Sequence, residues 1–166
     1  ATRHRRRVGK PARAIAGAHA HPDEASLLRI VAGRIRALDP DLITGWNVVE
    51  FDFAVLVARA AALGVKFEIG RAPGPVALAQ DGSYTRQRRA EIPGRMVLDG
   101  IALVRDASIA LDDFSLETAA RSLLGRGKRI SHTRSGRAQE IERMYRDEPE
   151  AFVAYNREDA VLVQEI

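Results

Sequence analysis

The chain has 166 residues, of which 46% are hydrophobic and 29% are charged; this composition excludes a disordered chain and suits one globular domain with a real core. It contains no cysteine, which excludes disulfides and thiolate metal sites. No apolar run approaches the roughly 20 residues that span a bilayer, and the N-terminus lacks the apolar region of a signal peptide, so we expect a soluble intracellular protein with no membrane partner.

The net charge of +4 is concentrated in two blocks. Residues 1–22 carry six basic groups and no acid, and residues 121–137 carry another six and no acid. Such blocks suit a nucleic-acid backbone, because neutralised phosphates release counterions, although a solvated loop is the alternative for each block. Glycine and proline interrupt residues 1–22, so we expect that segment to form edge strands or to be partly disordered, and residues 23–166 to form the folded domain.

The first half of this domain is predicted to run helix, strand, helix, strand. Asp23 is a candidate N-cap for an amphipathic helix, which ends before Pro40. An apolar strand then ends at Gly45, and the apolar residues 52–63 are typical of a buried helix. Alternating apolar and charged residues at 65–69 predict a short strand.

The second half begins with a glycine- and proline-rich excursion at residues 70–94. Asp81-Gly82 predicts a hairpin turn between strands at 76–78 and 83–85, with Arg86, Arg88 and Arg89 at its tip. A buried strand is predicted at 95–100, followed by a helix capped by Ser115 and closed by Gly125. Two further helices are predicted, one around Met144 and one from Pro149 to the end. Strands that alternate with helices indicate an α/β domain.

Polar side chains follow the first predicted strand. Asn47 and Asp52 come shortly after Gly45, in the crevice beyond a strand's carboxyl end where open α/β sheets usually bind ligands. The helix dipole also favours an acid in the first turn of a helix. These residues alone therefore leave a binding role and a structural role open for Asp52. Asp99 also ends a predicted strand. A position near the site is one alternative for it, and a structural or loop-capping role is the one that we expect.

The last predicted helix places a second acid on an apolar face. Spacings of three and four put five residues on that face: Phe152, Tyr155, Asp159, Leu162 and Ile166. An ionised Asp159 there costs free energy unless it is paired or bound to a metal. A salt bridge to a residue distant in sequence and a metal site both satisfy this requirement. Tyr155 lies one turn before Asp159, so its hydroxyl can approach whatever Asp159 binds.

Both groups of residues match known motifs in the same order. Asn47-x-x-x-Phe51-Asp52 resembles the second exonuclease motif of the family B DNA polymerases, and Tyr155-x-x-x-Asp159 resembles the third. Segments 39–47, 94–100 and 114–128 are similar to the corresponding segments of bacterial members of the family. On this resemblance, residues from about 24 to 166 are identified as a 3′→5′ exonuclease domain of a DNA-directed DNA polymerase.

The resemblance implies a ribonuclease-H-like (DnaQ-like) α/β fold, in which helices flank a mixed sheet. It also implies proofreading, in which two divalent cations, Mg²⁺ or Mn²⁺, serve hydrolysis of the terminal phosphodiester of a frayed primer. By position, Asp52, Tyr155 and Asp159 are the catalytic residues: the two acids hold the metals and the tyrosine orients the attacking water. Asn47 and Phe51 contact the unpaired DNA 3′ end. The implied partners are single-stranded or frayed DNA and the remainder of the polymerase chain, in the bacterial cytoplasm at the nucleoid.

The first exonuclease motif of the family, Asp-x-Glu, is absent, because no aspartate of this chain is followed two positions later by glutamate. We therefore expect a fragment that begins just after this motif and lacks the first strand of the sheet. We expect such a fragment to bind metal weakly or not at all and to show little nuclease activity, although its parent is an enzyme. The alternatives are a stand-alone nuclease of the same fold and a non-catalytic DNA-binding module.

Overall fold

The computed structural model describes residues 15–16, 18–80, 88–125 and 137–166, with Arg137 described by its backbone alone. Along the chain its elements are α1 (Glu24–Leu38), β1 (Leu42–Gly45), a π-helical turn (Val48–Phe53), α2 (Ala54–Leu63), β2 (Ala77–Gln80), β3 (Arg88–Glu91), β4 (Met96–Asp99), α3 (Gly100–Asp106), α4 (Leu116–Leu124), α5 (Arg137–Asp147) and α6 (Pro149–Glu165). In the described ranges, no helix is long and apolar enough to cross a membrane.

The described strands form two small sheets. β1 pairs with β4 in parallel, with Gly45 opposite Asp99, and β2 pairs with β3 in antiparallel fashion. This confirms a mixed α/β architecture, although the described strands form two separate pairs rather than the single mixed sheet that we expected. Because β1 and β4 are parallel and in register, the residues that follow both strands meet at one edge.

The predicted helix boundaries agree with the structure where a cap residue marks them. Asp23 caps α1 by accepting a hydrogen bond from the backbone N–H of Ser26 at 2.7 Å. Ser115 caps α4 in the same way, and Gly125 ends that helix in the left-handed conformation. α6 begins at Pro149, as predicted. These ends were predictable because each depends on one local side chain or on one backbone conformation.

The strand predicted at residues 65–69 is wrong, because no strand is assigned there. The alternation itself is present, since Val65, Phe67 and Ile69 are buried. Two backbone carbonyls of the segment accept hydrogen bonds from arginine side chains instead of a neighbouring strand. Arg36 donates to the carbonyl of Glu68, and Arg95 donates to that of Ile69.

Several other expectations were wrong or are only partly described. The hairpin exists, but its second described strand is β3, so Arg88 and Arg89 lie in that strand and not at the tip. β4 is half-buried rather than buried, and its Met96 is 62% exposed. The short helix α3 was not predicted. Three predicted features lie outside the described residues: the hairpin turn at 81–87, most of the basic block at 126–136 and most of segment 1–22, of which the described residues form no strand.

The apolar core has two parts. The larger one gathers α1, the π-helical turn, α2, residues 65–69 and the β2–β3 hairpin. The smaller one joins α4 to the C-terminal end of α6, through Leu116, Ala120 and Leu162, and Trp46 packs against it. Since Trp46 follows β1 directly, the smaller core holds α6 near the C-terminal end of that strand.

A buried arginine connects the segments that lead into the N-terminal ends of β1 and β4. The Arg95 side chain is 1% exposed and lies 3.0 Å from the carboxylate of Asp39. It also donates to the carbonyl of Ile69 at 2.7 Å and to the carbonyl of Pro40. Arg71 binds Asp39 from the solvent side at 2.8 Å. Hydrogen bonding from Arg71, and then from Arg95, holds the pKa of Asp39 below its usual value.

We predict that Arg95→Ala lowers the free energy of unfolding by about 2–4 kcal/mol, because it leaves the carbonyls of Pro40 and Ile69 without their donor and removes the buried one of the two arginines that pair with Asp39. Urea unfolding followed by circular dichroism measures this change. The control is Arg89→Ala, which removes an exposed pair with Glu91 and should cost less than about 1 kcal/mol. Equal losses in the two variants would contradict a structural role for the buried cluster.

Candidate active site

The turn after β1 combines a buried side with an exposed side. Val48, Val49 and Phe53 are buried, and they anchor the turn in the larger core. Phe51 is 63% exposed, and Asp52 also faces solvent. The π-helical turn therefore presents the two predicted site residues outward from a fixed base.

Close packing shapes the entry to this turn. A Cβ atom on Gly45 would lie only 2.7 Å from the Cβ of Val48, so a larger residue would push the turn away from the strand. Asn47 adopts the left-handed conformation, with φ of 61°, which asparagine tolerates better than most residues. The asparagine thus suits the backbone of the turn as well as the motif.

Asp99 connects the turn to the neighbouring strand. Its Oδ1 atom accepts hydrogen bonds from the backbone N–H groups of Asn47 at 3.2 Å and of Ile101 at 3.0 Å. Its Oδ2 atom accepts from the N–H of Val49 at 3.1 Å. The loop-capping role expected for Asp99 is therefore present, since it caps α3, but the same carboxylate also holds the turn that carries Asn47 and Asp52. Sequence reasoning did not find this second role. The sequence feature that could have indicated this role is an aspartate at the end of a parallel strand.

The carboxyl group of Asp52 lies in an unfavourable electrostatic environment. Partial desolvation by the surrounding protein atoms raises its pKa above the usual 3.8, and repulsion from Asp99 adds to the shift. The residue as a whole is nevertheless exposed, so its surface remains accessible to a ligand. Desolvation and the neighbouring charge disfavour the ionised form of Asp52, and a nearby cation offsets this cost.

Glu50 is another residue that sequence reasoning missed. Its carboxylate accepts hydrogen bonds from the backbone N–H of Arg88 at 3.0 Å and from the Arg88 Nε atom at 2.9 Å. Arg88 thereby holds the pKa of Glu50 below its usual value. This pair ties β3 of the hairpin to the turn, beside Phe51 and Asp52.

The face of α6 predicted from spacing is present. Phe152, Tyr155, Asp159 and Ile166 are half-buried and Leu162 is buried. The Oδ1 atom of Asp159 is shielded from solvent. α6 packs along β1, and its last turn contacts Trp46 through the smaller core. Trp46 is fixed in turn, because its Nε1 atom donates to the carbonyl of Phe114 at 2.9 Å.

The oxygen chemistry of Asp52 and Asp159 fits a hard divalent cation. Asp52 and Asp159 both supply carboxylate oxygens, which Mg²⁺ and Mn²⁺ prefer. The raised pKa of Asp52 and the shielded oxygen of Asp159 are both features that a bound cation stabilises. Among the residues that the structure describes, however, no three His, Asp or Glu side chains form a group that could hold a metal ion.

Comparisons with known proteins agree on one family. The profile for the exonuclease domain of DNA polymerase family B matches residues 10–119. This range includes Asn47, Phe51, Asp52 and Asp99, whereas Tyr155 and Asp159 lie beyond it. The match therefore covers the turn after β1 and the strand end that holds it.

Individual relatives are DNA polymerases. DNA polymerase II of Escherichia coli (strain K12) is 36% identical over 128 residues, which are 77% of this chain and 16% of that protein. A DNA polymerase of Desulfurococcus sp. (strain Tok) is 31% identical over 140 residues, or 80% of this chain and 16% of that protein. The DNA polymerase catalytic subunit of Epstein-Barr virus (strain B95-8) is 30% identical over 161 residues, or 87% of this chain and 15% of that protein. The chain thus spans a small part of the length of these relatives.

We predict that Gly100→Ala lowers the free energy of unfolding by about 1–3 kcal/mol, through overpacking. A Cβ atom at Gly100 would lie 2.7 Å from the Trp46 ring, so the fluorescence of this single tryptophan should also change. Gly33→Ala is the control, because its Cβ would meet no atom within 4 Å. Within α1 it should stabilise the protein by up to about 1 kcal/mol. Unchanged fluorescence in Gly100→Ala would contradict the described contact.

We predict that Asp52→Asn, without divalent cations, increases the free energy of unfolding at neutral pH. Because its pKa is raised on folding from 3.8, the acid favours the folded state only while protonated, and this contribution is lost as pH rises through the folded pKa. The gain from the amide should therefore vanish below the usual pKa and grow as pH rises through the raised pKa of the folded state.

Asp23→Asn supplies the opposite case for this pH series. The hydrogen bond from Ser26 lowers the pKa of Asp23, so its stabilising contribution is present at neutral pH and is lost as pH falls through the lowered pKa. Urea titrations over a range of pH measure both variants. A loss of stability in Asp52→Asn at neutral pH would show that the acid is not under electrostatic strain.

Proposed function

The chain belongs to the exonuclease domain family of the family B DNA polymerases, and from this we propose that it is the 3′→5′ proofreading exonuclease domain of a DNA-directed DNA polymerase. The observation that carries the proposal is the family match over residues 10–119, which contains the turn that presents Phe51 and Asp52 to solvent. We further propose that the α/β architecture is of the ribonuclease-H-like type. A cytoplasmic location at the DNA follows from this function.

The substrate in this proposal is a single-stranded or frayed DNA 3′ end. Phe51 offers an exposed aromatic ring on which a terminal base can stack, an interaction that does not depend on base identity. Asn47 lies at the base of the same turn, where its amide can bind the sugar or phosphate of the terminal nucleotide. The absence of sequence preference that stacking gives is what a proofreading reaction requires.

The reaction in this proposal is hydrolysis of the terminal phosphodiester. Asp52 and Asp159 would hold divalent cations, which, when bound, supply Lewis-acid activation of water and stabilisation of the leaving oxygen. The hydroxyl of Tyr155, one turn before Asp159 on the same helical face, would orient the attacking water. The Oδ1 atom of Asp159 is shielded from solvent, and such shielding strengthens the attraction of a carboxylate for a cation.

The isolated chain should be a poor nuclease. It contains no Asp-x-Glu, so on its own it offers two of the acids that the proposed chemistry uses. The same absence is compatible with a non-catalytic DNA-binding module, and a stand-alone nuclease is a further alternative. Strong Mg²⁺-dependent degradation of single-stranded DNA by the isolated chain, abolished in Asp159→Ala, would contradict this expectation.

We predict that Asp52→Asn and Asp159→Asn each lower 3′→5′ exonuclease activity of the full-length protein by at least about 100-fold, since removal of groups around a metal costs 10–100-fold even in its outer shell. Tyr155→Phe should cost less, because it removes one hydroxyl and no charge. Release of nucleotides from a labelled, mismatched primer measures the activity.

Two controls make this experiment decisive. Asp147→Asn changes an exposed aspartate at the end of α5 and should leave exonuclease activity within about twofold. DNA synthesis by the same preparations reports whether the rest of the protein is intact. Exonuclease activity that survives in both Asp52→Asn and Asp159→Asn would refute the proposed function, whereas loss of synthesis as well would indicate general misfolding.

A further inference from the structure

We propose that Asp99 is a positioning residue for the exonuclease reaction, which caps the turn carrying Asn47, Phe51 and Asp52 from the neighbouring strand. This inference rests on the proposed function for its catalytic consequence. Its structural content, that the Asp99 carboxylate holds the backbone of this turn, can be tested independently of any activity.

The turn needs an acceptor that its own first residue does not supply. The first N–H groups of a helix have no partner within the helix, and the side chain of the capping residue usually accepts from one of them. Asn47 occupies this position, yet its side chain makes no capping hydrogen bond. Asp99 accepts from the N–H of Val49 at 3.1 Å instead. The Asn47 amide is therefore not used to cap its own turn.

The same carboxylate fixes the conformation at Asn47. Its Oδ1 atom accepts from the Asn47 N–H at 3.2 Å, at a residue whose φ of 61° is uncommon for any residue other than glycine. It also accepts from the N–H of Ile101 at 3.0 Å, which anchors the acid in its own strand end. One charged group thus connects the start of the turn, its third residue and the start of α3.

Steric contacts around Asp99 allow little movement of this connection. The Trp46 ring lies against Gly100, where an added Cβ would be 2.7 Å away, and Gly45 has an equally close contact with Val48. Residues on both sides of the connection therefore approach at distances that only glycine permits. A catalytic group on such a turn is held in place, and small displacements of catalytic groups reduce rates strongly.

Asp99 acts through the turn and not on the substrate. Both of its oxygens accept backbone N–H groups of the turn and of the start of α3, which assigns the carboxylate to holding the backbone. Its negative charge also lies near Asp52, which increases the attraction of this site for a cation. Asp99 therefore favours cation binding in two ways, by fixing the turn that carries Asp52 and by adding negative charge near it.

The first test is hydrogen exchange in the full-length protein, followed by mass spectrometry of a peptide that spans residues 46–53. Asp99→Asn keeps one oxygen acceptor but turns an amide N–H toward a backbone N–H. We expect exchange in this peptide to accelerate about 10-fold or more, the size of a lost hydrogen bond to a charged group. The matched control is Asp23→Asn, which makes the same change at the cap of α1 and should leave this peptide unaffected. Unchanged exchange in Asp99→Asn would overturn the proposal.

The second test is the exonuclease reaction of the same variants. Asp99→Asn should lower kcat by about 10-fold or more and raise the Mg²⁺ concentration for half-maximal activity, while DNA synthesis is retained. In an Asp52→Asn background it should reduce activity by a smaller factor than it does in the unmodified protein, because residues that act through one another are not additive. Asp99→Glu, which keeps the charge but displaces the oxygens, should also lower kcat.

The outcomes separate the two proposals. Accelerated exchange with unchanged exonuclease kinetics would show that Asp99 stabilises the turn without positioning it for catalysis, which contradicts the inference. Fully multiplicative effects of Asp52→Asn and Asp99→Asn would contradict it as well. If the unmodified protein has no exonuclease activity that depends on Asp52, the proposed function fails, and the exchange experiment alone then decides whether Asp99 holds the turn.

Discussion

The Asp99 carboxylate joins the ends of two parallel strands, and the geometry of the candidate site depends on this connection. β1 and β4 are paired over four residues each, which is a small sheet. Beyond the last pair, the chain must turn sharply into a helix while its backbone N–H groups find acceptors. Asp99 provides these acceptors for Asn47 and Val49. The N–H groups at the start of the turn consequently donate to a side chain from another strand rather than to a capping side chain of the turn itself.

This construction has an electrostatic cost. A carboxylate that organises a backbone turn is placed near a second carboxylate, Asp52, whose pKa is raised mainly by desolvation and further by this neighbour. A protein selected only for stability would avoid two acids in this arrangement. The cost is understandable if the site binds a cation, since the same charges then contribute to affinity. The electrostatics of Asp52 and Asp99 therefore support the proposed metal chemistry independently of the resemblance between motifs.

Much of this structure was predictable, for identifiable reasons. Asp23, Ser115, Gly125 and Pro149 mark helix ends because each acts locally. The face of α6 followed from spacing alone. By contrast, residues 65–69 have the alternation of a strand, but distant arginines bind their carbonyls. The roles of Asp99 and Glu50 were not predictable because both depend on pairing between segments about 40–50 residues apart. The family resemblance predicted Asp52 as a site residue, and the fold shows that Asp99 holds the turn that carries it.

We propose that the turn held by Asp99 presents a DNA 3′ end to a cation bound by Asp52 and Asp159. The decisive experiment is a crystal structure of the full-length protein with a short single-stranded oligonucleotide and Mn²⁺, located by its anomalous scattering. We expect Mn²⁺ at about 2.1 Å from an Asp159 carboxylate oxygen, with the terminal base against Phe51 and the Asp99 oxygens still on the Asn47 and Val49 N–H groups. Mn²⁺ bound away from both acids, or a 3′ end that does not reach Phe51, would contradict it.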